Sequence, residues 1–349
     1  MSNVGFDLSL GNFDISAELY KRKTDGLLLS VPLPESLGFS SSPLANVGSM
    51  QNTGFELALG YNHRSADFNW SLTGTFDMIR NKVLSLATPN ATINSGNNAD
   101  FGGFDITRTQ AGQPIQSFYG WQVDGIFQSA AEVAAANALG NDSAPYQNAS
   151  TAPGDIRFKD LNGDGKIDGT DRTFLGSYLP KFSYGLNWSG TYKNFDFAIY
   201  LQGVNGNKIY NGVKVIGQGM LRLFNATTDV LDAWTPQNTD TDVPRAVSGD
   251  PNQNTRTSDR VIEDGSYLRI KNVSIGYTFS SESLKEVTNN VISRVRVYVS
   301  SQNLLTFTKY TGFDPEVASR GNNLLNNGID YGQYPQARTV LLGVNLGFN

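Results

Sequence analysis

The chain contains no cysteine, so neither a disulfide framework nor a thiolate-based zinc or redox centre can be built from it. It has one histidine, His63, in the stretch NHRSAD between two alternating segments, which reads as a surface turn residue. A lone imidazole with no sequence-local acid or nucleophile leaves no triad and no HExxH site to propose. Charge is scarce: 17% of residues are Asp, Glu, Lys or Arg, and the formal net charge of −5 excludes the basic face that nucleic acid requires. No run approaches the ~20 apolar residues of a membrane-crossing helix. The opening MSNVGFDLSLGN lacks the basic and apolar regions of a secretory leader. GQGMLR at 217–222 is only a fragment of a GxGxxG pattern, and nothing selects two carboxylates for a glycosidase pair. No enzymatic chemistry is visible.

What the chain does have is glycine (36 residues), aromatic side chains (11%) and alternation. Phe68, Trp70, Leu72, Gly74, Phe76 and Met78 alternate with Asn69, Ser71, Thr73, Thr75 and Asp77. The pattern recurs at 182–192, 195–201, 4–10, 13–20, 54–62, 267–279, 294–305 and 338–348. Period two means strands with one apolar and one polar face, about nine of them. Their links alternate in length: short at Gly11–Asn12, around 63–67, at Asn194 and at 280–293, long at 21–53, 85–181, 205–265 and 309–337. Short turns on one side and long loops on the other predict an all-β fold, a transmembrane antiparallel up-and-down β-barrel seen in part, with long extracellular loops. Tyr61, Phe68, Trp70, Tyr192, Phe195, Tyr277 and Phe279 near strand ends suit an interfacial girdle. A soluble β-sandwich is the alternative, disfavoured by four connections far longer than compact sandwiches carry. Two helical pieces are expected inside the long connections. One is SAAEVAAANALG, with Ser129 as N-cap, Glu132 completing a capping box and Gly140 as stop; the other is TTDVLDAW, ending before Pro236.

Inside the connection 85–181, residues 160–171 read DLNGDGKIDGTD. Asp160, Asn162, Asp164, Lys166, Asp168 and Asp171 occupy the ligand positions of a twelve-residue calcium loop, Gly165 its sharp bend and Ile167 its apolar anchor. Lys166 would contribute its backbone carbonyl only. The alternative is a solvated Asp/Gly turn. The flank PGDIRFKD is turn and short strand rather than helix, so a sensor that opens two helices is excluded and a structural calcium clip on an outward loop is expected. Elsewhere QSFYGWQVDGIF places Phe118, Tyr119 and Trp121 in the same connection, where they either contact a ligand or partner or pack the loop.

Four stretches carry a likeness to a known family: NVGSMQNTGFELALGYN at 46–62, PGDIRFKDLNGDGKIDGTDRTFLGSYLPKFSYGLNWSGTYKNFDFAIYLQGVNGNKIYN at 153–211, SYLRIKNVSIGYTF at 266–279 with RVRVYVSSQNLLTFT at 294–308, and YPQARTVLLGVNLGF at 334–348. Together they resemble the SusC/RagA-type TonB-dependent outer-membrane transporters of Bacteroidetes. The resemblance implies that 1–349 is a C-terminal portion of a barrel of about 22 strands, without its plug domain. It implies import of an oligosaccharide or peptide, powered by a TonB complex through the plug, with a SusD-like surface lipoprotein as partner. It also implies a metal at Asp160, Asn162, Asp164, Lys166, Asp168 and Asp171, and a chain end on an aromatic residue where this one ends Phe348-Asn349. The competing readings are a secreted, calcium-stabilised glycan-binding β-domain and a glycoside hydrolase module.

Overall fold

The computed structural model describes residues 1–30, 44–140, 144–222, 224–280, 282, 284, 288–289, 291–317 and 326–348. The link expected at 21–53 is strand up to Ser30 and again from Leu44, and 31–43 lie outside the described residues, as do parts of the links at 85–181, 205–265, 280–293 and 309–337 and the terminal Asn349.

Alternation becomes one sheet. Its strands are β1 (Ser2–Leu10), β2 (Phe13–Ser30), β3 (Leu44–His63), β4 (Phe68–Ser85), β5 (Phe182–Tyr192), β6 (Phe195–Asn205), β7 (Tyr267–Thr278), β8 (Ile292–Thr308) and β9 (Thr339–Phe348). They stand in chain order, each antiparallel to the next, with no crossover. Lengths fit a bilayer: β5 and β6 have 11 residues each, and β2, β3 and β4 run on to 18–20, against ~9–11 tilted residues needed to cross hydrocarbon.

Register puts like with like. Leu8, Ile15 and Leu59 are cross-strand neighbours in one row, as are Tyr61, Leu72, Trp188 and Ile199. On the opposite face Glu18, Glu56, Asp77 and Ser183 form another row. Among the described residues the apolar face meets no second layer: Leu8, Leu59, Trp188, Ile275, Val299 and Leu342 are all exposed large hydrophobics. A water-soluble sandwich would bury them between two sheets. Near the short turns the expected aromatic belt assembles. Tyr61 lies 4.6 Å from Phe13 and 5.1 Å from Trp70, Phe68 lies 6.0 Å from Tyr192, and Phe195 lies 4.9 Å from Tyr277, which lies 5.1 Å from Phe279. His63 closes β3, stacked 5.9 Å from Trp70.

The two hydrophobic core clusters sit in the long connections, not in the sheet. Those after β4, β6 and β8 fold into small sheets of their own. A four-stranded one runs from Thr92–Ser95 through Thr107–Gln110 and Ser117–Gly120 to Thr173–Ser177. A three-stranded one joins Lys208–Asn211 to Ile262–Asp264 and to Ile329–Asp330, so Tyr210 pairs with Ile262 on one side and Ile329 on the other. One hydrophobic cluster draws Phe101, Ile106 and Phe118 from the first connection, Tyr210 and Val261 from the second and Ile329 from the third. These connections are one packed body rather than separate loops, and the period-two pattern of the wall carries no sign of it.

The helical expectations divide. α1 spans Ala130–Asn137, with Ser129 Oγ accepting from Glu132 N at 3.2 Å. Glu132 Oε2 reaches back to the N–H of Gln128 rather than to that of the cap residue, and the helix ends before Gly140. TTDVLDAW forms only a 3-10 turn at Thr228–Asp232. α2, Gly212–Gly219, was not expected: three glycines in GVKVIGQG argue against helix, and packing of Val215 in the hydrophobic cluster overrides that propensity.

Candidate functional site

The aspartate-rich stretch forms a single tight turn. Gly163 and Gly165 adopt φ of +76° and +82°. At Gly165 a Cβ would stand 2.6 Å from the Leu139 carbonyl oxygen, so both the bend and the close approach require glycine. Ile167 is buried in a second core cluster with Trp121, Phe127, Ala136, Tyr146, Ile156 and Phe158, as the position-eight anchor requires.

The carboxylates are turned onto the loop's own backbone. Asp160 accepts from Gly163 N at 2.6 Å and Gly165 N at 2.8 Å. Asp164 accepts from Lys166 N at 3.1 Å, and Asn162 Oδ1 from Asp164 N at 3.0 Å. The Asn162 amide donates to Asp164 Oδ2 at 3.1 Å and to Thr170 Oγ1 at 2.9 Å. Asp168 Oδ1 takes the Thr170 hydroxyl and N–H, both at 2.7 Å, and these bonds hold its carboxyl below the usual carboxylate range. Asp171, fully buried, accepts from Leu161 N at 2.9 Å and Asp168 N at 2.8 Å and so closes the turn end to end. The donor set is all oxygen, which suits a hard cation. Among the described residues no three acidic side chains converge on one point.

The turn is tied to the core through Trp121, whose indole Nε1 donates to the Asp168 carbonyl at 2.8 Å. Of the two roles considered for the aromatic stretch, loop packing is the one that the burial of Phe118 and Trp121 fits. Phe118 is 0% exposed and Trp121 5%, both packed in the two hydrophobic clusters, so neither presents a face to a ligand. Trp121 carries the guanidinium of Arg172 at 4.9 Å and that of Arg256 at 5.5 Å. Tyr119 is half-buried beneath Arg108 at 3.7 Å. Burial lowers Arg256 to about 10 and also lowers Arg172. The sequence signal, four aromatics in QSFYGWQVDGIF, is the signal of a core as much as of a platform.

Sequence reasoning missed a second constellation between the second and third connections. Asn211 caps α2 by accepting from Lys214 N at 2.9 Å, while its amide donates to Glu263 and Thr311, each at 3.1 Å. Arg269 of β7, 2% exposed, donates to Asp314 Oδ1 at 2.7 Å and pairs with Glu316 at 3.3 Å, and Lys271 joins Glu316 at 2.8 Å. The segment after β8 is thereby strapped onto the sheet's polar face. No local motif announces this, because the partners lie about 45 residues apart in sequence.

No family model matches the chain. Over 99% of its length it is 35% identical to TonB-dependent receptor P3 of Formosa agariphila, covering 34% of that protein. It is 29% identical, again over 99% of its length, to TonB-dependent receptor SusC of Bacteroides thetaiotaomicron, covering 31%. Among solved structures, the RagAB peptide importer in its closed-closed state superposes with a TM-score of 0.73 at 25% identity, over 99% of this chain and 35% of that one. The chain thus spans about a third of the length of the curated relatives it matches. Its nine-stranded sheet is a section of a transmembrane antiparallel β-barrel of the transporter type.

Proposed function

From this homology to SusC/RagA-type TonB-dependent receptors, we propose that the chain builds part of the wall and the outer loop layer of an outer-membrane importer that takes up an oligosaccharide or peptide. The observation that carries the reading is the sheet itself: one unbranched antiparallel meander whose apolar face is bare while its other face is lined by Glu, Asp, Ser and Thr. Hydrocarbon is the solvent in which such a face is stable, and a water-filled lumen is the setting for the other. The relatives are named receptors and transporters, and the chain has no catalytic constellation in its sequence, so import without covalent chemistry is the fitting class.

The residues divide the work. The wall strands exclude lipid from the lumen, and the fused connections stand over its mouth, where a SusD-like surface lipoprotein would close on them. Energy would come from a TonB complex acting through a plug. At the aspartate-rich turn, Asp160, Asn162, Asp164, Asp168 and Asp171 side chains and the Lys166 carbonyl would hold calcium. The ion's chemistry there is charge neutralisation, and the loop's part is to pin Ile167 and the Asp168 carbonyl against Trp121.

The test is fractionation and uptake with the full-length protein. It should sediment with the outer membrane, migrate as a heat-modifiable band, and support uptake of labelled oligosaccharide or peptide that stops when the inner-membrane TonB is removed. A protein recovered soluble and monodisperse without detergent would overturn the reading.

A further inference from the structure

Between α2, the turn at Thr228–Asp232 and the strap after β8 lies a cleft of about 480 Å3. Its chemistry comes from Lys214, Gln218, Thr227, Asp229, Thr311 and Phe313. The polar groups are held in place before any ligand arrives. Gln218 donates to Asp229 Oδ2 at 2.9 Å while its own oxygen accepts from the half-buried Arg260. Thr311 donates to Glu263 at 2.8 Å and accepts from Asn211 at 3.1 Å. Among the described residues the Lys214 ammonium makes a long ion pair, 3.8 Å from Glu263.

Phe313 stands at the rim 62% exposed, yet it is not on a loose segment. Its neighbour Asp314 is bonded to the buried Arg269, which fixes where the ring sits. An exposed aromatic on a strap pinned by ions is a platform rather than a packing group. Beside Phe313 the lining residues are mostly donors and acceptors, Val213 being the one aliphatic side chain. A ring that carries hydroxyls on its edge and C–H groups on its face matches every part: an acidic acceptor, an ammonium donor, hydroxyl partners and one apolar surface.

We propose that this cleft binds a pyranose ring of an oligosaccharide, with Phe313 against the sugar face and Lys214 and Asp229 bonded to its hydroxyls. The proposal deepens the importer reading and rests on it. Preorganisation by Arg260, Glu263 and Arg269 lowers the ordering cost of binding.

The test uses the full-length transporter in detergent, probed with an array of neutral and uronic-acid hexasaccharides and, separately, with a mixed hexapeptide pool. At least one hexasaccharide should bind, and Phe313→Ala, which removes the apolar face, and Asp229→Asn, which removes a charged acceptor, should each weaken it about tenfold. Both residues are exposed, and an unchanged heat-modifiable band certifies folding of each variant. Arg269→Gln, which frees the strap, should weaken the same glycan. Three results overturn the proposal: no hexasaccharide binds, binding ignores both cleft variants, or hexapeptides rather than sugars depend on them. None of these touches membrane fractionation or TonB dependence, so the importer reading stands or falls separately.

Discussion

Asp171 does the work of two groups. As the twelfth residue of the loop it is a candidate ligand, and as a buried carboxylate it satisfies Leu161 N and Asp168 N. Asp171→Ala therefore orphans two donors, and a loss of about 1–3 kcal/mol is expected in local stability, read by limited proteolysis of the loop. Asp160→Ala and Asp164→Ala should abolish calcium uptake in calorimetry; unchanged binding in both would reject the proposed ligands. Asp250 gives a pH signature. Burial raises its carboxyl pKa against hydrogen bonds from Thr255 and Asn254. The folded chain holds that proton more tightly than the unfolded one. The stabilisation is complete below the ordinary carboxylate value of ~3.9 and is lost as pH rises through the folded-state value. Protection factors in the connection after β6 should thus fall as pH rises above ~3.9, and Asp250→Asn should flatten that slope.

At the scale of the element, β7 shows how the wall stores specificity. Gly276 pairs with Asp196 of β6 and Tyr298 of β8, and the side chain of Arg296, which stands opposite Thr278, crosses it to reach Asp196, Nε 2.8 Å from Oδ1. A Cβ there would stand 2.6 Å from both partners, so only glycine lets the pair span a strand. Gly276→Val should separate the pair and lower the yield of heat-modifiable barrel. The two faces of β9 offer a second check. Leu342 is 76% exposed on the apolar face. Leu342→Arg should cost up to about 2–4 kcal/mol if it sits near the bilayer centre, the depth-dependent penalty for a cation in hydrocarbon. A charge placed at Ser16, on the polar face, should cost far less; equal penalties in a folding titration into lipid would refute the assignment of faces.

For the whole molecule, edges decide. Among the described residues β1 and β9 each pair on one side only. Unpaired backbone in lipid costs several kcal/mol per group, so a nine-stranded wall needs further strands to persist there. This chain expressed alone should aggregate in detergent-free buffer. Joined to the strands that complete the barrel, it should extract as a monodisperse species in detergent. The outer body has its own integrity, since three connections share one hydrophobic cluster. Release of one should loosen the others, seen as joint loss of protection in hydrogen exchange.

The sequence by itself determined the wall: all nine strands, their faces and their antiparallel order follow from period-two alternation and from links of alternating length, which are local properties. It also determined the turn at 160–171, because a twelve-residue spacing is written in consecutive residues. Only the tertiary structure decided what the long connections become. Tyr210 beside Ile329, Arg269 on Asp314 and Trp121 on Asp168 join residues 45 to about 120 positions apart, and no local period records such partners. The same holds for exposure. Phe118 and Trp121 look like a binding surface in one dimension and are core in three, while Phe313, unremarked in the sequence, stands in the open. Burial is a property of what packs against a side chain, and that is settled by chain segments the side chain does not belong to.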